Sequence, residues 1–200
     1  MKKIVTHKNP HLDEIACIWI IKKFLPGWNT VALRFMPTNP SGGAVKNPDK
    51  NVEDTLYIGV GRGKFDEHEG NLADSATTLV FKHVKKYMRP LPAVDTAALE
   101  ALITYVNDED HGKHIESPFA EFSISAALAN LPKVATHSSQ KLVEIGSLYL
   151  DGIFNGLQEK FQLKHDCPRR RHPAASAVAQ RSSRGISKTP QSGYYSSHPI

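Results

Sequence analysis

The chain opens with a short β-branched run, Lys3-Ile4-Val5-Thr6, which predicts a buried first strand ending at His7. Asn9-Pro10 then reads as a helix start, since Asn is a good N-cap and Pro is tolerated at the first helical position. From Leu12 to Phe24 apolar residues fall on most faces, as expected of a helix packed against a sheet, and Pro26-Gly27 stops it. Thr30 to Phe35 predicts a second strand, residues 37–51 a polar loop, and Thr55 to Ile58 a third strand. That strand runs into Gly59-Val60-Gly61-Arg62-Gly63, a flexible loop that lacks the Gly-Lys-Ser/Thr ending of a P-loop. Helical spacing returns over Ser75 to Tyr87, Thr96 to Val106, Ser123 to Leu131 and Leu142 to Phe161. Strands alternating with helices predict an α/β fold with a largely parallel sheet. Ligands of such sheets bind beyond the carboxyl ends of the strands, so His7 and Gly59 are expected to face one crevice.

The pattern divides the chain into a domain over 1–140, a C-terminal or connecting helix over 141–167 and a tail over 168–200. The tail changes the meaning of the net charge. It holds six of the 25 basic residues, Arg169 to Lys188, and none of the 20 acidic ones, so residues 1–167 are close to neutral despite the overall +5. The body therefore lacks the electrostatic footprint of a nucleic-acid binder. With seven Ser, four Pro and no Leu or Phe, the tail is expected to be disordered. Two origins suit it: a basic arm that touches nucleic acid, or the product of a reading frame shifted near residue 166. Cys17 and Cys167 make no disulfide framework, and no apolar stretch of about 20 residues is present. Both suit a cytoplasmic protein that does not engage a membrane.

Three polar clusters follow predicted elements. His7-Lys8-Asn9-Pro10-His11-Leu12-Asp13 brings two imidazoles and a carboxylate to a strand end and helix start. Phe65-Asp66-Glu67-His68 follows the third strand, and Asn107-Asp108-Glu109-Asp110-His111 ends a helix. Singly, each has a structural explanation: polar loop residues with Asp13 serving the helix dipole, a charged surface loop, and a solvated helix end. Together they point to a divalent metal, because mixed imidazole and carboxylate donors suit Mn²⁺, Fe²⁺ or Zn²⁺. Acidic residues at a helix C-terminus oppose the dipole, and a cation there would offset the cost.

His7-x3-His11-x-Asp13 resembles the first motif of the DHH phosphoesterase superfamily, which includes family II inorganic pyrophosphatases and RecJ-type exonucleases. His11 in the middle position looks more like the MYG-type branch. The stretch Leu56 to His68 resembles that branch's strand, Asp-Val-Gly-Gly loop and Asp-His-His triplet, and Asp110-His111 resembles its later acidic motif. The likeness spans roughly residues 1–150. It implies a three-layer, parallel-sheet DHH-type domain and a metal-dependent phosphoesterase acting on a phosphoester or phosphoanhydride, its substrate a phosphorylated small molecule or an oligonucleotide. By resemblance, His7 and His11 with a carboxylate hold one metal, Asp13, Glu67 and Asp110 a second, with Mn²⁺ the leading candidate and one or two ions per chain. His68 would touch substrate phosphate or protonate the leaving oxygen, and Arg62 and Lys64 would meet phosphate oxygens.

Two departures qualify the likeness. The bridging Asp of the family falls at Gly59, which has no side chain, and the first His of the triplet is Glu67, which can still bind metal through oxygen. Relatives also often add a substrate-binding domain for which this chain has little room. These features support the alternative of a degenerate metal- or nucleotide-binding relative without turnover. Nucleic-acid binding through the tail is a weaker third, because only Tyr194-Tyr195 supplies aromatic interleaving. Cys17, inside an apolar helix face, is expected to be a core residue rather than a nucleophile, and His83 and His114 are expected to be polar surface groups.

Overall fold

Among the described residues three short strands form one sheet: β1 (Lys3–His7), β2 (Ala32–Met36) and β3 (Thr55–Tyr57). A computed structural model describes residues 1–37, 45, 47–67, 73–134 and 138–167. The β-branched run of β1 lies in the middle of the sheet, in the order β2-β1-β3, with both pairings parallel. Strands paired on both sides read as continuous apolar runs, and Ile4, Val5 and Thr6 are all buried. Among the described residues, α1 (Leu12–Phe24) lies between β1 and β2, and α2 (Ala76–Val84), α3 (Ala93–Asp110), α4 (Ile124–Val134) and α5 (Ser139–Asp166) follow β3. Helix α1 is buried at every residue from Leu12 to Ile21 because α2, α3 and α5 all pack on it. Its Ile15, Ile18 and Ile21 join strand residues Ile4 and Leu56 in one core. Met1–Asp166 forms a single compact unit, so α5 belongs to the body of the domain. Its Gly146 lets the helix close on α1: an added Cβ would stand 2.7 Å from Ile15 Cγ2.

The α/β class with a parallel sheet is what the pattern predicts, and α1 ends at Phe24 as expected. The entry to α1 differs. Asn9 does not cap the helix; it adopts φ +52°, a left-handed conformation that Asn tolerates, and His11 is the N-cap. The turn at Asn9 and Pro10 delays the helix by two residues. Glu14 then closes the helix start, accepting the His11 backbone N–H at Oε2, 2.9 Å away. Helix α3 starts at Ala93, three residues before the predicted Thr96, directly after its N-cap Pro92. The tail over 168–200 lies outside the described residues.

Candidate metal centre

The sheet brings the first two clusters together. Val5 is registered with Tyr57, and Ile58 N–H donates to Val5 O at 2.9 Å. Continuing that register by two residues sets His7, the last residue of β1, level with Gly59 at the carboxyl ends of adjacent strands. The chain then turns through Asn9 and enters α1, which carries His11, Asp13 and Glu14 back over the same strand ends.

Two groups of ligand-type atoms result, each with its atoms within 4.8 Å of one another: His7, His11 and Glu14, and Asp13, Glu67 and Asp110. In the first, His7 Nε2 lies 3.0 Å from Glu14 Oε1, while His7 Nδ1 is 2.8 Å from Lys8 O. The two imidazoles meet edge to face at 5.1 Å between centroids. Burial opposes charge on His7, but the hydrogen bond and charge of Glu14 outweigh it and raise the imidazole pKa. Burial likewise opposes charge on Glu14, and His7 and then His11 outweigh it, holding the carboxyl below its ordinary range. A cation between these atoms would take the place of the proton that favours the His7–Glu14 ion pair.

The second group gathers three carboxylates from α1, the loop after β3 and the end of α3. Asp13 is buried; its Oδ1 accepts the Thr77 N–H at 3.0 Å in the first turn of α2, and Thr77 Oγ1 donates to Asp13 O at 2.8 Å. Ser75 N–H donates to Asn107 Oδ1 at 3.0 Å, which ties α3 to the same helix start. Unsatisfied N–H groups at a helix N-terminus suit a carboxylate. That explains Oδ1 alone. Asp13 Oδ2 is buried with no hydrogen-bond partner among the described residues. Burial first, then the charge of Glu14, pushes the Asp13 carboxyl up to about 7, with Asp110 adding to the rise and Thr77 opposing it. A divalent cation would supply the missing partner of Oδ2 and screen the three anions. The donors fit such an ion.

The other expected site residues lie as follows. Asp66 Oδ2 accepts the Arg62 N–H at 2.8 Å, holding a turn in which Arg62 has φ +56°. Lys64 Nζ stands 4.6 Å over the Phe65 ring, and burial lowers its pKa, with the charge of Asp49 opposing the shift and that of Lys86 adding to it. His68 lies outside the described residues, so Glu67 is the last member of its cluster with a described position. His83 packs on Phe65 and Tyr87, and His114 stacks on Tyr105. Cys17 is fully buried and its thiol pKa is raised by burial, which suits a core residue.

Glu14 is the site residue that motif spacing misses. It sits next to Asp13 and three residues after His11, where it looks like a helix-capping glutamate. The available signal was a second carboxylate inside a run that is otherwise apolar from Leu12 to Ile21, where a buried charge needs a partner. Neither a family model, nor a curated protein, nor a solved structure matches this chain.

Proposed function

We propose that this protein is a metal-dependent phosphoesterase-like hydrolase of the DHH type, acting on a phosphoester or phosphoanhydride with Mn²⁺ as its cofactor. One observation carries it: the buried, unpartnered Oδ2 of Asp13, on a residue grouped with Glu67 and Asp110 at the mouth of a parallel sheet. A three-layer DHH-type architecture is part of the same proposal, supported by His7 and Gly59 standing at the carboxyl ends of adjacent strands.

Asp13, Glu67 and Asp110 would hold the ion, with His7 and His11 beside them. A divalent ion in such a setting makes water more acidic and stabilises charge on phosphoryl oxygen. The chain's own groups have separate tasks. The α2 N-terminus fixes Asp13 through Thr77, so one oxygen stays aimed by a rigid helix. His7 can exchange a proton at Nε2 with Glu14, 3.0 Å away. Arg62 and Lys64, after β3, are proposed to meet phosphate oxygens, and His68 to touch substrate phosphate or protonate the leaving oxygen.

The test is hydrolysis of small phosphoesters and short oligonucleotides by the full chain, with Mn²⁺ and with chelator. Metal-dependent turnover lost in Asp13→Asn is the expected result. Gly59 and Glu67, where relatives carry Asp and His, favour a second reading: a relative that binds metal or nucleotide without turnover. Stoichiometric Mn²⁺ uptake with no hydrolysis of any of these substrates would select it.

A further inference from the structure

Position 59 is where the absent family carboxylate should be, and the structure fills its place from elsewhere. A Cβ added to Gly59 would lie 2.7 Å from Glu14 Oε1, 3.1 Å from its Cγ and 3.3 Å from its Cδ. The Glu14 carboxyl thus occupies the volume in which a residue-59 side chain would begin. Gly59 itself has φ +58° and is buried, so glycine suits both the backbone and the intruding glutamate.

The burial of Glu14 is the second sign. A capping glutamate needs only to reach back to one backbone N–H at a solvated helix end. Glu14 does so with Oε2, yet the residue is only 5% exposed and its other oxygen is turned onto His7 Nε2. The third sign is its neighbour, since Asp13 is 4% exposed and keeps Oδ2 unpartnered.

Resting on the cation-dependent function above, we propose that Glu14 has exchanged places with the carboxylate of position 59. It completes, with His7 and His11, a second divalent-cation site beside the Asp13–Glu67–Asp110 group. Two imidazoles and one carboxylate form a donor set that suits Mn²⁺, Fe²⁺ or Zn²⁺. The glycine is then the condition that lets a helix-borne carboxylate reach the strand end, and the centre keeps its charge although the motif has lost an acid.

The experiment is Mn²⁺ titration calorimetry on the full chain, with far-UV circular dichroism to confirm folding. The wild type is expected to take up two ions. Glu14→Gln keeps the size and can still accept the His11 N–H, but it is expected to lose one ion or to bind it at least about 100-fold more weakly, beyond the usual effect of a supporting residue. Glu14→Ala/Gly59→Asp, which returns the carboxylate to the strand end where Asp tolerates a left-handed φ, is expected to recover the second ion. Glu14→Gln binding two ions with wild-type affinity overturns the exchange and leaves Glu14 a cap. So does a folded double variant that remains at one ion. A wild type with one ion that Asp13→Asn abolishes overturns this inference and leaves the proposed function standing. A wild type that binds none overturns both.

Discussion

Asp13→Asn separates a metal ligand from a helix cap, because the two roles predict opposite signs. Asp13 is buried, and its carboxyl is pushed from an ordinary value of 3.8 to about 7. The folded chain therefore holds a proton that the unfolded chain releases. Stability contributed by this group falls as pH rises from 3.8 to about 7 and stays low above that. At 1.36 kcal/mol per pH unit the interval corresponds to about 4 kcal/mol, a large share of the roughly 5–15 kcal/mol that holds a domain together. Asparagine keeps an oxygen for the Thr77 N–H, seen at 3.0 Å, and replaces Oδ2 by an amide that can donate towards Glu67 or Asp110. In chelator at pH 8, Asp13→Asn should raise the free energy of urea unfolding by about 2–4 kcal/mol, and the gain should vanish near pH 4. With Mn²⁺ the gap should narrow: the ion held by Asp13, Glu67 and Asp110 should add about 2.7 kcal/mol to the wild type at 100 times its Kd, a gain that the variant lacks. An Asp13→Asn protein less stable than wild type at pH 8 without metal would refute this account. Asp13 would then be a cap for α2 whose charge the fold needs.

Mn²⁺ uptake should release protons, since His7 must lose the one it shares with Glu14 before its nitrogen can bind metal. Without metal, the raised His7 pKa gives stability that is present below pH 6.5 and lost as pH rises through the folded value; the lowered Glu14 pKa gives stability present above 4.5 and lost as pH falls through its own. Mn²⁺ affinity should therefore rise with pH up to the raised folded pKa of His7 and level off above it, and calorimetry in buffers of different ionisation heat will count the protons; no buffer dependence would show that His7 gives up no proton to the metal. Gly146→Ala should lower stability by about 1–3 kcal/mol although alanine is the better helix former, because its Cβ would meet Ile15 Cγ2 at 2.7 Å. Thermal unfolding measures this, and an unchanged or higher midpoint would show that α5 can move off α1 at little cost.

What could be read from the chain follows from where each signal is stored. The order of strands and helices is written in local apolar spacing, so β1, α1 and the parallel sheet were legible. That His7, His11, Asp13, Glu67 and Asp110 come together in two groups could be expected because they stand at or near the ends of elements, and their ligand-type atoms do so. The entry to α1 was not legible. Asn9 has two uses in short-range chemistry, as a cap and as a left-handed turn residue, and only the packing around Pro10 and Glu14 selects the second.

Gly59 marks a different limit. On a linear motif, glycine in place of an acid reads as a lost ligand. In three dimensions a missing side chain is also space, and space at a strand end can be filled from a helix start 45 residues earlier in the chain, as the 2.7 Å approach of Glu14 Oε1 to an added Cβ indicates. Motif matching compares positions, whereas a cation responds only to which oxygens and nitrogens surround it. The pair Glu14 and Gly59 should therefore be judged together. Either change alone, Gly59→Asp into the Glu14 carboxyl or Glu14→Ala beside an empty glycine, should weaken the imidazole-side ion more than both together, the sign of coupling that a double-mutant cycle measures directly.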